Sequence, residues 1–89
     1  MATPILKHKK KIAIVDDHSL FRAGFSRLIQ QITEHDIIFE AENGKELIEK
    51  LNYQKPDLIF LDLEMPIMNG IDAAVFIKTK FPEIKVIIL

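Results

Sequence analysis

Four short stretches of this chain, residues 11–16, 37–42, 57–62 and 84–89, are apolar along most of their length instead of alternating apolar with polar. A strand with one wet face alternates, so these runs predict parallel strands covered on both sides. Helical spacing fills the gaps between them. Ser19 offers an N-cap oxygen to a helix whose apolar positions are Leu20, Phe21, Phe25, Leu28, Ile29 and Ile32. Asn43-Gly44 opens a second helix over residues 45–52, with Leu47, Ile48 and Leu51 as its buried stripe. Asn69 caps a third over residues 71–80, which Phe81-Pro82 ends. Strands and helices alternating over short connections predict an α/β fold, a doubly wound parallel sheet with helices on both faces. Right-handed crossovers leave few strand orders open, and such sheets bind ligands at the carboxyl ends of their strands.

Eighty-nine residues make one small domain, which buries only roughly 60–65% of its unfolded surface. The chain has no cysteine, which excludes disulfides and thiolate metal sites and is compatible with a reducing cytoplasm. Its apolar runs are strand-length, far below the roughly 18 residues of a membrane-spanning helix, so no membrane contact is expected. The early lysines precede no apolar core of signal-peptide length. Net charge is −1, but Lys7, Lys9, Lys10 and Lys11 cluster at the start; without them eight basic residues face 13 acidic ones. A body at −5 argues against nucleic-acid contact by this domain. Residues 1–10 are expected to be a solvated basic extension, and residues 11–89 the folded unit.

The chemistry gathers at strand ends. Asp16-Asp17 closes the first strand, and Asp62 closes the third, after Leu58-Ile59-Phe60-Leu61. A buried strand has no packing use for an aspartate at its tip. If the first and third strands are neighbours, three carboxylates meet and raise one another's pKa unless a cation intervenes. An all-oxygen donor set without His or Cys suits Mg²⁺, which keeps several waters and leaves room for a phosphate. A carboxylate so placed is able to attack phosphorus and form an aspartyl-phosphate. In the following loop, Met65 and Met68 fill gaps, Pro66 fixes the bend, Gly70 permits close approach at the helix start, and the Glu64 carbonyl is free to turn inward as a neutral ligand. His18 is expected to be a rim residue, Asp57 a residue leading into the third strand, and Asp72 a first-turn helix charge.

Asp16-Asp17 after a strand, together with Asp62-Leu-Glu-Met-Pro-Ile-Met-Asn-Gly70, resembles the receiver domain of two-component response regulators. The stretch from Asp16 to Gly24, Asp-Asp-His-Ser-Leu-Phe-Arg-Ala-Gly, further resembles the branch whose receivers precede a LuxR-type DNA-binding domain. The resemblance implies a flavodoxin-like 2-1-3-4-5 sheet and phosphotransfer from a histidine kinase or phosphotransfer protein to Asp62. It implies Mg²⁺ on Asp17, Asp62 and the Glu64 carbonyl, with Asp16 supporting, and a Glu64 side chain that affects phosphoryl lifetime. It also implies a cytoplasmic signalling module that controls an output, transcription, through a domain outside this chain, and not a multiple-turnover enzyme.

The match covers nearly everything from Lys11 onward but only about three-quarters of a receiver. Family members carry a Ser or Thr after the fourth strand and a Lys at the end of a fifth; this sequence reaches Leu89 before either. The last helix-strand-helix portion is therefore expected to be missing, as in a fragment. Lys85 to Leu89 would then form an apolar edge through which copies associate.

Three rivals compete with this reading. A Mg²⁺-dependent phosphatase would use Asp62 as nucleophile and need an acid two residues on, the offset of Glu64. A flavodoxin-like nucleotide binder would want a Gly/Ser/Thr-rich loop after the first strand, where Asp16-Asp17 stands instead. A structural dimerisation fragment would be indifferent to replacement of Asp62.

Overall fold

The computed structural model describes residues 9–89, so of the expected basic extension only Lys9 and Lys10 fall within it. The elements alternate as the patterning requires: β1 Lys11–Val15, α1 Ser19–Ile32, β2 Asp36–Ala41, α2 Gly44–Leu51, β3 Leu58–Leu61, α3 Gly70–Lys80 and β4 Lys85–Ile88. The strands form one parallel sheet in the order β2-β1-β3-β4. This is the expected flavodoxin-like order over the four strands the sequence holds.

β1 is the centre of the sheet, and Ile12, Ala13, Ile14 and Val15 are each at most 2% exposed. Both of its faces are therefore covered, as its unbroken apolar run predicts. Ala13 and Val15 join Ile59, Leu61, Phe39 and Ala41 in a core that Leu47 and Leu51 of α2 and Ala73 and Ile77 of α3 close. Burying a large aliphatic side chain there contributes about 1.5–3 kcal/mol. The two helices over this core are capped as expected. Asn43 Oδ1 accepts from the Glu46 amide at 2.8 Å and Asn69 Oδ1 from the Asp72 amide at 2.9 Å. Asp72 in the first turn of α3 and Lys78 and Lys80 in its last complement the helix dipole.

Helix α1 departs from expectation in two ways. His18, not Ser19, holds the N-cap position, and it gives no side-chain cap. The cause is Asp16, whose Oδ1 takes the His18 amide at 2.7 Å and tightens the turn by one residue. The apolar stripe is also largely uncovered: Leu20 is 87% exposed and Ile32 64%, with Phe21 and Leu28 exposed as well. The inner face is instead Arg22, Phe25, Ser26 and Ile29, of which only Ser26 is buried. Phe25 meets Phe60 edge-on with ring centroids 5.0 Å apart.

On this side of the sheet the register aligns Ile14, Phe60 and Ile87. Ile14 is buried, Phe60 half-buried and Ile87 exposed. Cover thus fades from β1 toward β4, because α1 packs against β1 and β2. Of the six phenylalanines, only Phe39 is buried. β4 is an edge strand with Ile87 and Ile88 exposed, as expected of the bare edge.

The loop from β3 to α3 is held by close backbone contact. A Cβ at Gly70 would lie 2.2 Å from the Asp62 carbonyl oxygen and 2.5 Å from Leu63 Cα. Gly70 donates its amide to Leu63 O at 2.9 Å, so the helix starts directly against the backbone that follows β3. Ile67 stands in the left-handed region at φ 70°, which crowds a β-branched side chain.

Two stability changes of opposite sign are expected in chemical denaturation. Gly70→Ala destabilises by about 3 kcal/mol, since backbone atoms cannot move aside as a side chain does. Ile67→Asn stabilises by about 1 kcal/mol, because asparagine tolerates the left-handed conformation.

Candidate functional site

Parallel pairing in the register Val15 with Leu61 sets the next residue of each strand, Asp16 and Asp62, side by side. The backbone ladder reaches up to the acids: Asp62 donates its amide to Val15 O at 2.9 Å, and Asp16 to Ala41 O at 3.0 Å. One ligand atom each from Asp16, Asp17, His18 and Asp62 lies within 4.8 Å of all the others. The side chain of Asp16 is 6% exposed, that of Asp62 18% and that of Asp17 30%. The three carboxylates expected to converge therefore do so, at the carboxyl ends of two adjacent central strands.

The loop after β3 folds back over its own aspartate. The Glu64 amide donates to Asp62 Oδ1 at 3.2 Å, while Glu64 itself is exposed. Met65, Pro66, Glu64 and Asp17 line an open cleft of about 600 Å³ beside the acids. Met68 packs against the core rather than the cleft, in keeping with a gap-filling role. Asp57 lies at the opposite end of the sheet, where Oδ2 accepts the Lys11 amide at 2.8 Å and joins β1 to the start of β3.

His18 stands at the rim as expected and also contacts the acids. Its ring is 70% exposed, yet Nδ1 lies 2.9 Å from Asp16 Oδ1, 3.2 Å from Asp17 Oδ1 and 3.9 Å from Asp62 Oδ2. Protonated, it would add a positive charge at the solvent side of the carboxylates. The hydrogen bond to Asp16 is the main reason its pKa is raised above 6.5, with the charges of Asp17, Asp16 and Asp62 adding to it and desolvation slightly opposing.

Sequence reasoning passed over two residues that brace the site. Arg22 Nε donates to Glu40 Oε1 at 3.0 Å, and its Nη1 donates to the Asp16 carbonyl. The available signal was spacing: Arg22, Phe25, Ser26 and Ile29 fall at i, i+3, i+4 and i+7 and so share one helix face.

This geometry, carboxylates at adjoining strand ends of a doubly wound sheet with a Pro/Gly loop into the next helix, defines a receiver-type acidic pocket. The family model of the response regulator receiver domain matches residues 12–89, and the chain belongs to that family. It is 33% identical over 89 residues to the transcriptional regulatory protein DegU of Brevibacillus brevis, covering 100% of this chain and 38% of that protein. It is 40% identical over 79 residues to the response regulator protein VraR of Staphylococcus saprophyticus, covering 89% of this chain and 38% of that protein. The chain thus spans about two-fifths of the length of these relatives. Among solved structures, a LuxR-family two-component response regulator from Aurantimonas superposes with a TM-score of 0.85 at 28% identity, over 91% of this chain and 58% of that one. The non-phosphorylated receiver domain of RcsB from Escherichia coli also gives 0.85 at 28% identity, over 92% and 65%. Among the described residues, no helix is long and apolar enough to cross a membrane.

The raised His18 pKa gives a signed pH dependence in the metal-free chain. Protonation favours the folded state, so this contribution to stability is fully present below 6.5 and is lost as pH rises through the folded-state value. An NMR titration of the His18 ring is expected to show a midpoint above 6.5, and Asp16→Asn is expected to lower it.

Proposed function

We propose that this domain is the phospho-acceptor module of a two-component response regulator, with Asp62 receiving a phosphoryl group from the phosphohistidine of a histidine kinase or phosphotransfer protein. The observation that carries this reading is the meeting of the Asp16, Asp17 and Asp62 carboxylates within 4.8 Å at the ends of two paired strands. Like charges so close repel one another, and a cation among them reverses that sign.

The donor set fits Mg²⁺: Asp17 and Asp62 as carboxylate ligands, the Glu64 carbonyl as a neutral one, and Asp16 in support. Bound there, the ion supplies charge neutralisation for the phosphoryl group in transfer. Asp62 does the covalent work. A carboxylate oxygen attacks phosphorus as the donor's P–N bond breaks; the bonding pair stays on the donor imidazole nitrogen, which picks up a proton from solvent. Met65, Pro66 and Gly70 shape the loop that keeps the acceptor beside an open cleft. Glu64, exposed two residues beyond it, flanks the approach of water and so affects how long the acyl phosphate survives.

The acceptor is consumed once per transfer, so the domain is a phospho-acceptor signalling module and not a multiple-turnover enzyme. The branch likeness to LuxR-family regulators, and relatives described as transcriptional regulators, support an output in transcription through a DNA-binding domain outside this chain. RcsB is described bound to DNA; the acidic body of the present domain favours contact by the output domain alone. A cytoplasmic location follows from such partners.

Incubation with a small acyl-phosphate donor and Mg²⁺, read by intact mass, is expected to add one phosphoryl group per chain. Asp62→Asn abolishes the addition, Asp57→Asn leaves it, and chelation of the metal suppresses it. Release of many phosphates per chain from varied monoesters would instead mark a phosphatase.

A further inference from the structure

Arg22 is a largely enclosed cation, its side chain 16% exposed, that reaches none of the three pocket carboxylates by hydrogen bond or ion pair. Its guanidinium is directed at main chain and at a second strand. Nε donates to Glu40 Oε1 on β2 at 3.0 Å, and Nη1 donates to the carbonyl of Asp16. That carbonyl belongs to the peptide that joins Asp16 to Asp17, so gripping it fixes the plane from which Asp17 departs. Glu40 is itself anchored, because Lys50 on α2 donates to its carbonyl at 2.7 Å. The Asp16 amide meanwhile bonds Ala41 O, the residue after Glu40. One planar fork therefore ties α1 and β2 to the point where the acids leave β1.

We propose that Arg22 is a positioning residue for the acidic pocket: it orients the Asp16–Asp17 peptide so that both carboxylates converge with Asp62, and it thereby sets the pocket's affinity for a divalent cation. This rests on the metal reading above. The arrangement makes a prediction of definite sign. A fixed positive charge near the pocket repels a dication, so electrostatics alone would make its removal tighten Mg²⁺ binding. Loss of positioning does the reverse, as removal of groups that orient metal ligands commonly costs tenfold or more in affinity. Lysine keeps the charge but, as a point donor, cannot reproduce a fork directed at two acceptors.

The test is a Mg²⁺ titration of the full ¹⁵N-labelled chain, following the amides of Asp62 and Gly70, with melting temperatures recorded alongside. Arg22→Gln is expected to weaken binding about tenfold or more, and Arg22→Lys to fall between it and the wild type. A merely structural role would lower the melting temperature and leave the binding midpoint of the folded chain where it was. Unchanged or tighter binding in Arg22→Gln overturns the inference; should that variant fail to fold, Arg22→Lys is judged by the same criterion. A wild-type chain with no Asp62-dependent response to Mg²⁺ overturns the proposed function and this inference with it. A responsive wild type with unaffected variants overturns the inference alone.

Discussion

Two central strands that run parallel and end together force their terminal residues into proximity, and the rest of this molecule follows from that. Neighbouring strands lie about 4.8 Å apart, so the register of Val15 with Leu61 holds Asp16 and Asp62 at close range whatever their charges prefer. The hydrophobic core around β1 sets this register, since a slip by one residue would turn Ile12 and Ile14 to the opposite face. Burial of uncharged side chains thus holds mutually repelling ones together. The repulsion is eased locally, by the imidazole of His18 on the solvent side and by hydrogen bonds from the His18 and Glu64 amides.

The loops that serve the site accept constraints a purely structural loop would avoid. Gly70 is required because α3 begins against the Asp62 and Leu63 backbone, which brings the loop back over the aspartate it follows. Ile67 is held at positive φ in the same loop, an uncomfortable conformation for its side chain. Both features compress the nine residues from Asp62 to Gly70 into a short arc at the edge of the cleft. A looser connection would relieve the backbone and leave Asp62 freer to turn away from its neighbours.

Much of this was readable in the residues. Unbroken apolarity in β1 and β3 announced strands covered on both sides, and Asn43, Asn69 and Pro82 marked helix limits that the structure keeps to within a residue or two. The acidic pocket was legible because an aspartate at the tip of such a strand has no packing explanation. What escaped was α1. Its apolar residues cover more of the helix circumference than one contact face, and periodicity cannot say which side the sheet will take. The sheet took the side bearing Arg22 and Ser26, because Arg22 finds the Asp16 carbonyl and Glu40 there, partners that lie 6 and 18 residues away in sequence. His18 stands at the exposed rim as expected, but its contacts with the acids were not foreseen. Its role depends on the turn that Asp16 closes with the His18 amide, a local bond that a residue-type argument about metal preference does not consider.

The same asymmetry explains how the parts of the domain divide their work. All the acidic pocket residues, and the groups that brace them, come from β1, β2, β3 and the turns and helix that adjoin them. β4 contributes pairing to β3 but none of the clustered donors, and on the α1 side its Ile87 stands exposed beside half-buried Phe60. Acceptor chemistry at the ends of β1 and β3 and the apolar surface around Phe60 and Ile87 therefore share β3. Any change at Asp62 that shifts β3 along its axis would be felt at its hydrogen bonds to β4, since Leu61 and Ile88 stand directly opposite and the Leu89 amide bonds Leu61 O at 3.0 Å. The strand that carries the carboxylate is the strand that adjoins the uncovered face.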